Sequence, residues 1–111
     1  MFEELDKDKL EDAKKIIDEE IKANKVILYM KGNKMAPQCG FSGQVIQILM
    51  QSGVPFETRD VLEDDYRRQG IKDYSDWPTV PQLYVNQEFI GGCDIVVELF
   101  QSGELNGLLE G

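Results

Sequence analysis

The sequence predicts a mixed α/β fold, with a small four-stranded mixed sheet flanked by helices. Residues 26–30 form a continuous apolar run, as in a strand that is buried on both faces of a sheet. A helical pattern and a second strand pattern follow this run, which indicates a parallel crossover. Further along, two short apolar runs flank Asn86 and Gln87, and asparagine tolerates the positive φ of a tight antiparallel hairpin. Parallel and antiparallel pairs in one chain predict a mixed sheet.

The first half of the chain predicts two helices around the first strand. Apolar residues recur at helical spacing from position 10 to position 21, with charged residues between them. Residues 32–40 are rich in Gly, Asn and Pro and are predicted to be a loop. A second helix then carries an apolar face over 45–50, and Ser52-Gly53 closes it before a strand at 56–61.

The second half predicts a weaker helix at 62–74, the hairpin, and a helix that begins at Asp94 as its N-cap. Gly103 is expected to end that helix, and 105–109 fit a short terminal helix. No repeat or linker interrupts the pattern. At this length we expect residues 1–111 to form a single domain.

The composition excludes several classes of function. The formal net charge is -9, which disfavours binding to nucleic acid and to anionic membrane surfaces. There is no histidine and no Cys-x-x-Cys motif, so imidazole catalysis and a zinc knuckle are not expected. The acidic residues at 1–24 do not resemble a targeting segment. We therefore expect a cytoplasmic location in the bacterial cytosol, or in the mitochondrial matrix if a transit peptide was removed.

Cys39 is the candidate reactive residue, because Gly40-Phe41-Ser42 and a predicted helix follow it directly. Unpaired N–H groups and the positive end of the helix dipole favour a thiolate, which attacks disulfides or binds metal. A buried, inert cysteine is the alternative. Ser42 stands where a dithiol enzyme would place its second cysteine, although serine is also a common capping residue.

Basic residues offer a candidate anion site. Lys31 ends the first strand, where the chain enters the cysteine loop. Arg68 and Lys72 are four residues apart, so on a helix they share a face and together suit a small carboxylate ligand. A merely solvated charged face remains the alternative.

Two further segments suit a peptide ligand. If the Val80–Pro81 bond is cis, the backbone groups of Val80 face a ligand instead of a strand, whereas a trans turn is the commoner outcome. The Gly91-Gly92-Cys93-Asp94 turn leads into a helix, and its N–H groups suit a carboxylate. Alternatively, Cys93 is a small core residue and Asp94 an ordinary cap.

Taken together, four motifs resemble the monothiol glutaredoxin family: Lys31-Gly32, Cys39-Gly40-Phe41-Ser42, Trp77-Pro78-Thr79-Val80-Pro81-Gln82 and Gly91-Gly92-Cys93-Asp94. The resemblance implies a thioredoxin-like fold with a cis proline at Pro81. It also implies a groove for glutathione, with cations at the glycine carboxylate, the Val80 backbone at the middle of the tripeptide and the Cys93 turn at its γ-glutamyl end. The implied glutathione-binding residues are Lys31, Cys39, Phe41, Arg68, Lys72, Thr79, Val80, Pro81, Cys93 and Asp94.

The same resemblance implies a [2Fe–2S] cluster shared between two subunits, each giving Cys39 and one glutathione thiolate, for cluster storage, transfer and assembly. The implied partners are a second copy of the chain when the cluster is bound, BolA-like proteins and apo iron–sulfur acceptor proteins. The main alternative is a glutathione-dependent thiol–disulfide oxidoreductase with Cys39 as its catalytic residue. Whether Cys39 and Cys93 can form a disulfide stays open, because spacing alone does not give their distance. A binding module whose partner complex responds to iron is a further alternative.

Overall fold

The computed structural model describes residues 5–111 and has the predicted mixed α/β architecture. The elements, in chain order, are α1 (Lys7–Ala23), β1 (Val26–Met30), β2 (Gly32–Asn33), β3 (Ala36–Pro37), α2 (Gly40–Ser52), β4 (Glu57–Asp60), α3 (Asp65–Ser75), β5 (Gln82–Val85), β6 (Glu88–Gly91), α4 (Cys93–Ser102) and α5 (Leu105–Glu110).

The main sheet has the strand order β4-β1-β5-β6. Strand β1 is parallel to β4 and antiparallel to β5, with Ile27 paired to Glu57 on one side and to Tyr84 on the other. The predicted hairpin joins β5 to β6, and both of its turn residues, Asn86 and Gln87, have positive φ angles of 50° and 70°. The mixed sheet predicted from the sequence is therefore confirmed.

Helices cover both faces of this sheet. All five residues of β1 are buried, and they alternate between the two sides. Val26, Leu28 and Met30 belong to the larger core cluster, which includes residues of α2, α4 and α5. Ile27 and Tyr29 belong to the smaller cluster with residues of α1 and α3. The apolar run at 26–30 thus anchors both halves of the core.

Three local predictions need correction. The loop predicted at 32–40 contains a small hairpin, in which β2 pairs with β3. Helix α3 begins at Asp65 and not at 62, because the Asp64 carboxylate caps it by accepting the N–H of Tyr66 at 2.8 Å. The prediction that Asp94 is an N-cap is wrong: α4 begins at Cys93, its N-cap is Gly92, and Asp94 lies in the first turn. There a carboxylate still interacts favourably with the helix dipole.

None of the helices within residues 5–111 combines the length and the apolar character that a membrane crossing requires.

Candidate functional site

A cleft of about 490 Å³ opens at the carboxyl end of β1. The N-terminus of α2, one face of α3, the loop before β5 and the N-terminus of α4 surround it. The structure brings together in this cleft all ten residues that the sequence analysis assigned to a ligand site: Lys31, Cys39, Phe41, Arg68, Lys72, Thr79, Val80, Pro81, Cys93 and Asp94.

Cys39 is the N-cap residue of α2 and is partly exposed. The backbone N–H groups of Ser42 and Phe41 lie near its sulfur without closing a formal capping hydrogen bond. The N–H of Ser42 is the largest influence that lowers the pKa of the Cys39 thiol, and the N–H of Phe41 and the charge of Lys31 add to it. Partial burial opposes them but does not prevail. The Cys39 thiol therefore ionises more readily than an ordinary cysteine thiol.

Ser42 is fully buried and does not cap α2. Its hydroxyl accepts the N–H of Lys31 at 3.2 Å, and the Lys31 carbonyl accepts the N–H of Gln38 at 2.9 Å. These bonds join the end of β1 to the cysteine loop and to the first turn of α2. The Ser42 hydroxyl, which stands where a dithiol enzyme would have its second cysteine, thus has a structural role in connecting these segments.

Asp60 fixes the chain where it leaves β1. Its carboxylate accepts the N–H of Gly32 at 2.9 Å and that of Leu62 at 2.8 Å. Gly32 has a φ of +86°, and a Cβ there would lie 2.5 Å from the carbonyl oxygen of Ala36. Only glycine fits this turn, which sets the position of Lys31 beside the cleft.

Arg68 and Lys72 lie one turn apart on α3 and line the cleft together. Among residues 5–111, no carboxylate lies within ion-pair distance of these two side chains or of Lys31. Neighbouring basic residues differ in this respect, since Arg67 pairs with Glu63 and Arg59 with Glu20. Three cations at one cleft make an electropositive region in an otherwise acidic chain.

The Val80–Pro81 peptide bond is cis, as the family resemblance implies. Val80 lies two residues before the start of β5, so its backbone groups lie outside the sheet ladder. It forms one wall of the cleft with Thr79 and Pro81. A chain segment whose backbone groups are not used by the sheet suits backbone pairing with a peptide.

Cys93 is the first residue of α4 and is almost completely buried in the larger core cluster. Its thiol donates to the side-chain oxygen of Gln44 at 3.4 Å. Burial raises the pKa of Cys93, and the nearby charges of Asp94 and of an ionised Cys39 raise it further. Both cysteines are free thiols in the structure.

Four residues that the sequence analysis did not assign to the site also line the cleft: Trp77, Pro78, Gly92 and Ile95. Three of them lie inside motifs already singled out, so their positions gave a usable signal. Ile95 gave none, because an apolar residue at helical spacing is typical of a core position. In the structure it is 41% exposed at the mouth of the cleft.

Metal ligands are sparse. Within residues 5–111 there is no group of three or more Cys, Asp or Glu side chains that could hold a metal ion, and the chain has no histidine. Cys39 is the one partly exposed thiol in the cleft. A metal centre at Cys39 therefore needs donors from outside one chain.

Comparisons with known proteins agree with this geometry. Residues 26–90 match the family model described as glutaredoxin. A monothiol glutaredoxin of Synechocystis is 60% identical over 99 residues, which are 89% of this chain and 92% of that protein.

Two solved glutaredoxin structures are also similar to this chain. The solution structure of reduced poplar apo GrxS14 is 52% identical and superposes with a TM-score of 0.77, covering 87% of this chain and 89% of that one. The crystal structure of a buckwheat glutaredoxin–glutathione complex has a TM-score of 0.85 over 96% of this chain and 94% of that one. At 22% identity, this second likeness concerns the fold alone.

Proposed function

This chain belongs to the monothiol glutaredoxin family, and from that premise we propose that it binds glutathione in the cleft and carries a [2Fe–2S] cluster as cargo between two subunits. The observation that carries the proposal is that the cleft brings two features together. One is the Cys39 thiol, whose pKa is lowered, and the other is a set of three cations that have no carboxylate partner among residues 5–111.

Glutathione matches the chemistry of the cleft at each end. It is a tripeptide with two carboxylates, one ammonium group and one thiol. The glycine carboxylate binds Lys31, Arg68 and Lys72, which gives charge-assisted hydrogen bonds. The α-carboxylate of the γ-glutamyl end faces the N-terminal turn of α4, and Asp94 receives the ammonium group. The cleft volume of about 490 Å³ lies within the range of small-molecule sites.

The middle of the tripeptide pairs with the chain at Val80, whose backbone groups lie outside the sheet ladder. This pairing places the glutathione thiol beside Cys39. Thr79, Pro81 and Phe41 complete the walls. A peptide held along its backbone and at both ends is fixed in orientation as well as in position.

The donor set accounts for the shared cluster. A [2Fe–2S] cluster is held by four sulfur ligands, and one subunit offers Cys39 and one glutathione thiolate. Two subunits therefore complete the set. Half of the ligands are held non-covalently, and Cys39 is partly exposed, so a thiolate of an acceptor protein can displace them. This arrangement suits transfer of the cluster.

The proposed partners follow from that role. They are a second copy of the chain in the cluster-bound state, BolA-like proteins and apo iron–sulfur acceptor proteins. We place the protein in a reducing, cytoplasmic compartment, where the Cys39 thiol stays free for its ligands.

A second function uses the same thiolate. Cys39 attacks the glutathione sulfur of a mixed disulfide, the substrate thiolate leaves, and Cys39 becomes disulfide-bonded to glutathione. The thiolate of a second glutathione then attacks that disulfide, which releases glutathione disulfide and restores Cys39. The pKa shift of Cys39 favours this deglutathionylation chemistry. Ser42 cannot act as a resolving thiol, and burial raises the pKa of the Cys93 thiol, so the cycle draws on free glutathione.

The test is anaerobic reconstitution with iron, sulfide and a cysteine desulfurase, with and without glutathione. Visible absorption reports the cluster and size-exclusion chromatography reports the dimer. We expect a coloured dimer only when glutathione is present, no cluster in Cys39→Ser, and a retained cluster in Cys93→Ser. A cluster of wild-type yield in Cys39→Ser, or one that forms without glutathione, contradicts the proposal.

A further inference from the structure

Gln82 is the first residue of β5 and is completely buried. Buried polar side chains need hydrogen-bond partners, because an unpaired one loses its hydration without compensation. Gln82 has three partners. Its amide nitrogen donates to the carbonyls of Thr79 at 3.0 Å and of Trp77 at 3.3 Å, and its amide oxygen accepts the Tyr84 hydroxyl at 3.1 Å.

The orientation of this amide follows from its neighbours. A carbonyl oxygen only accepts hydrogen bonds, so the NH₂ group of Gln82 must face Thr79 and Trp77. The oxygen then faces Tyr84. The Tyr84 ring is held by edge-to-face contacts with the rings of Tyr29 and Tyr74, at centroid distances of 6.1 and 6.3 Å. The amide is therefore anchored to the smaller core cluster.

The bond to Thr79 determines where the next N–H points. The Thr79–Val80 peptide is trans and planar, so its C=O and N–H point in opposite directions. Gln82 holds the Thr79 carbonyl toward the interior. The N–H of Val80 consequently points away from Gln82, and Val80 lines the cleft.

The hydrogen bonds of helices and strands do not fix the direction of the Thr79 carbonyl. Residues 76–81 lie between α3 and β5, and Pro78 and Pro81 have no N–H to contribute. The Gln82 side chain is what fastens the Trp77 and Thr79 carbonyls of this loop to the core.

We propose that Gln82 is a positioning residue for the glutathione site: through the Thr79 carbonyl, it aims the Val80 N–H at the peptide backbone of the ligand. This inference rests on the proposed function, because it assumes that glutathione occupies the cleft. Gln82 is buried and is not one of the residues that line the cleft, so it acts on the ligand only through the position of Val80.

The first test titrates S-methylglutathione, which cannot exchange disulfides with Cys39, into ¹⁵N-labelled protein and follows the amide resonances. Gln82→Met keeps the length of the side chain and removes its hydrogen bonds. We expect binding to weaken by about tenfold or more, because the loop carbonyls lose their donor. The Val80 amide resonance should already shift in the free variant. Gln47→Met, at an exposed position of α2, is the matched control and should bind as the wild type does.

A second variant separates positioning from general damage to the fold. In Gln82→Glu the neutral carboxyl can donate to the Thr79 carbonyl, whereas the carboxylate cannot. The group is buried beside two carbonyl oxygens, which favours its neutral form. We expect near-wild-type binding at low pH, and a Kd that rises relative to that of wild type as the carboxyl ionises. Urea denaturation over the same pH range shows whether the variant stays folded while its Kd rises, which a purely structural role would not give.

The outcomes distinguish failure of the proposed function from failure of the role of Gln82 alone. If wild-type protein shows no binding of S-methylglutathione, the proposed function fails and this inference fails with it. If the wild type binds, then binding by Gln82→Met within twofold of wild type overturns the inference alone. Should Gln82→Met not fold, a Kd ratio between Gln82→Glu and wild type that is independent of pH overturns it.

Discussion

Cys39 and Cys93 line the same cleft and each lies at the start of a helix, yet the fold shifts their acidities in opposite directions. Cys39 is partly exposed, with the N–H groups of Ser42 and Phe41 and the charge of Lys31 near its sulfur. Cys93 is buried and lies beside Asp94. A helix N-terminus alone therefore does not make a reactive thiolate. Exposure and the sign of the neighbouring charge decide the outcome.

This difference also divides the chemical roles. A thiolate is both the nucleophile and the metal ligand, so Cys39 is suited to disulfide exchange and to cluster ligation. Cys93 contributes apolar contacts and a thiol that donates to Gln44. One cleft thus holds a thiol suited to reaction and a second thiol suited to a structural role.

The largest expected effect is on alkylation by iodoacetamide near neutral pH. We expect Cys39 to react at least about a hundredfold faster than Cys93, because it is both more exposed and more ionised. The rate should fall only when the pH drops through the lowered pKa of Cys39. Peptide mass spectrometry over time locates the label. Equal labelling of the two cysteines would refute the comparison.

A smaller effect is expected where the ligand, and not the thiol, is the target. Arg68→Ala and Lys72→Ala should each weaken binding of S-methylglutathione by about 1–2 kcal/mol, because each removes a partly exposed ionic contact. Lys15→Ala, at an exposed position of α1, is the charge-matched control. Calorimetry measures the affinities. Affinities equal to that of the control variant would show that these two cations do not bind the ligand.

The smallest effect is on the free energy of unfolding. Cys93→Ser should destabilise the protein by about 1 kcal/mol, because it places a hydroxyl in the larger core cluster, whereas Cys39→Ser should change stability by less than about 0.5 kcal/mol. Urea denaturation measures both values. The reverse order would contradict the assignment of the two thiols.

The stability effect should also depend on pH. Burial raises the pKa of Cys93, so the folded state favours its protonated thiol. This contribution is fully present below the pKa of the unfolded chain and is lost as the pH rises through the folded pKa. The gap in stability between wild type and Cys93→Ser should therefore narrow in alkaline solution.

Much of the fold could be predicted from the sequence because its signals are local. The apolar run of β1 and the Asn86-Gln87 turn each specify their geometry within a few residues. The β2–β3 hairpin could not be predicted, since strands of two residues have no periodicity to detect. The error at Asp94 arose because an acidic residue suits both the N-cap and the first turn of a helix.

The site was predictable as a set of motifs but not as a geometry. Sequence could place Val80 in a segment able to face a peptide, whereas the cis bond before Pro81 required either the family resemblance or the structure. The role inferred for Gln82 depends on hydrogen bonds to Trp77 and Thr79, and a glutamine at the start of a strand gives no sign of them. The contrast between Cys39 and Cys93 likewise depends on burial, which a motif does not report.

The most direct test of the central claim is a titration of thiolate absorbance in the ultraviolet, performed on Cys39→Ser and Cys93→Ser. We expect that Cys93→Ser retains a thiol that ionises below the ordinary pKa of cysteine, and that Cys39→Ser retains only one that ionises above it. Adding Lys31→Ala to Cys93→Ser should move the Cys39 transition to higher pH. Adding Lys34→Ala should not, because its ammonium group is bound at Phe56. An early transition that survives in Cys39→Ser would contradict the account.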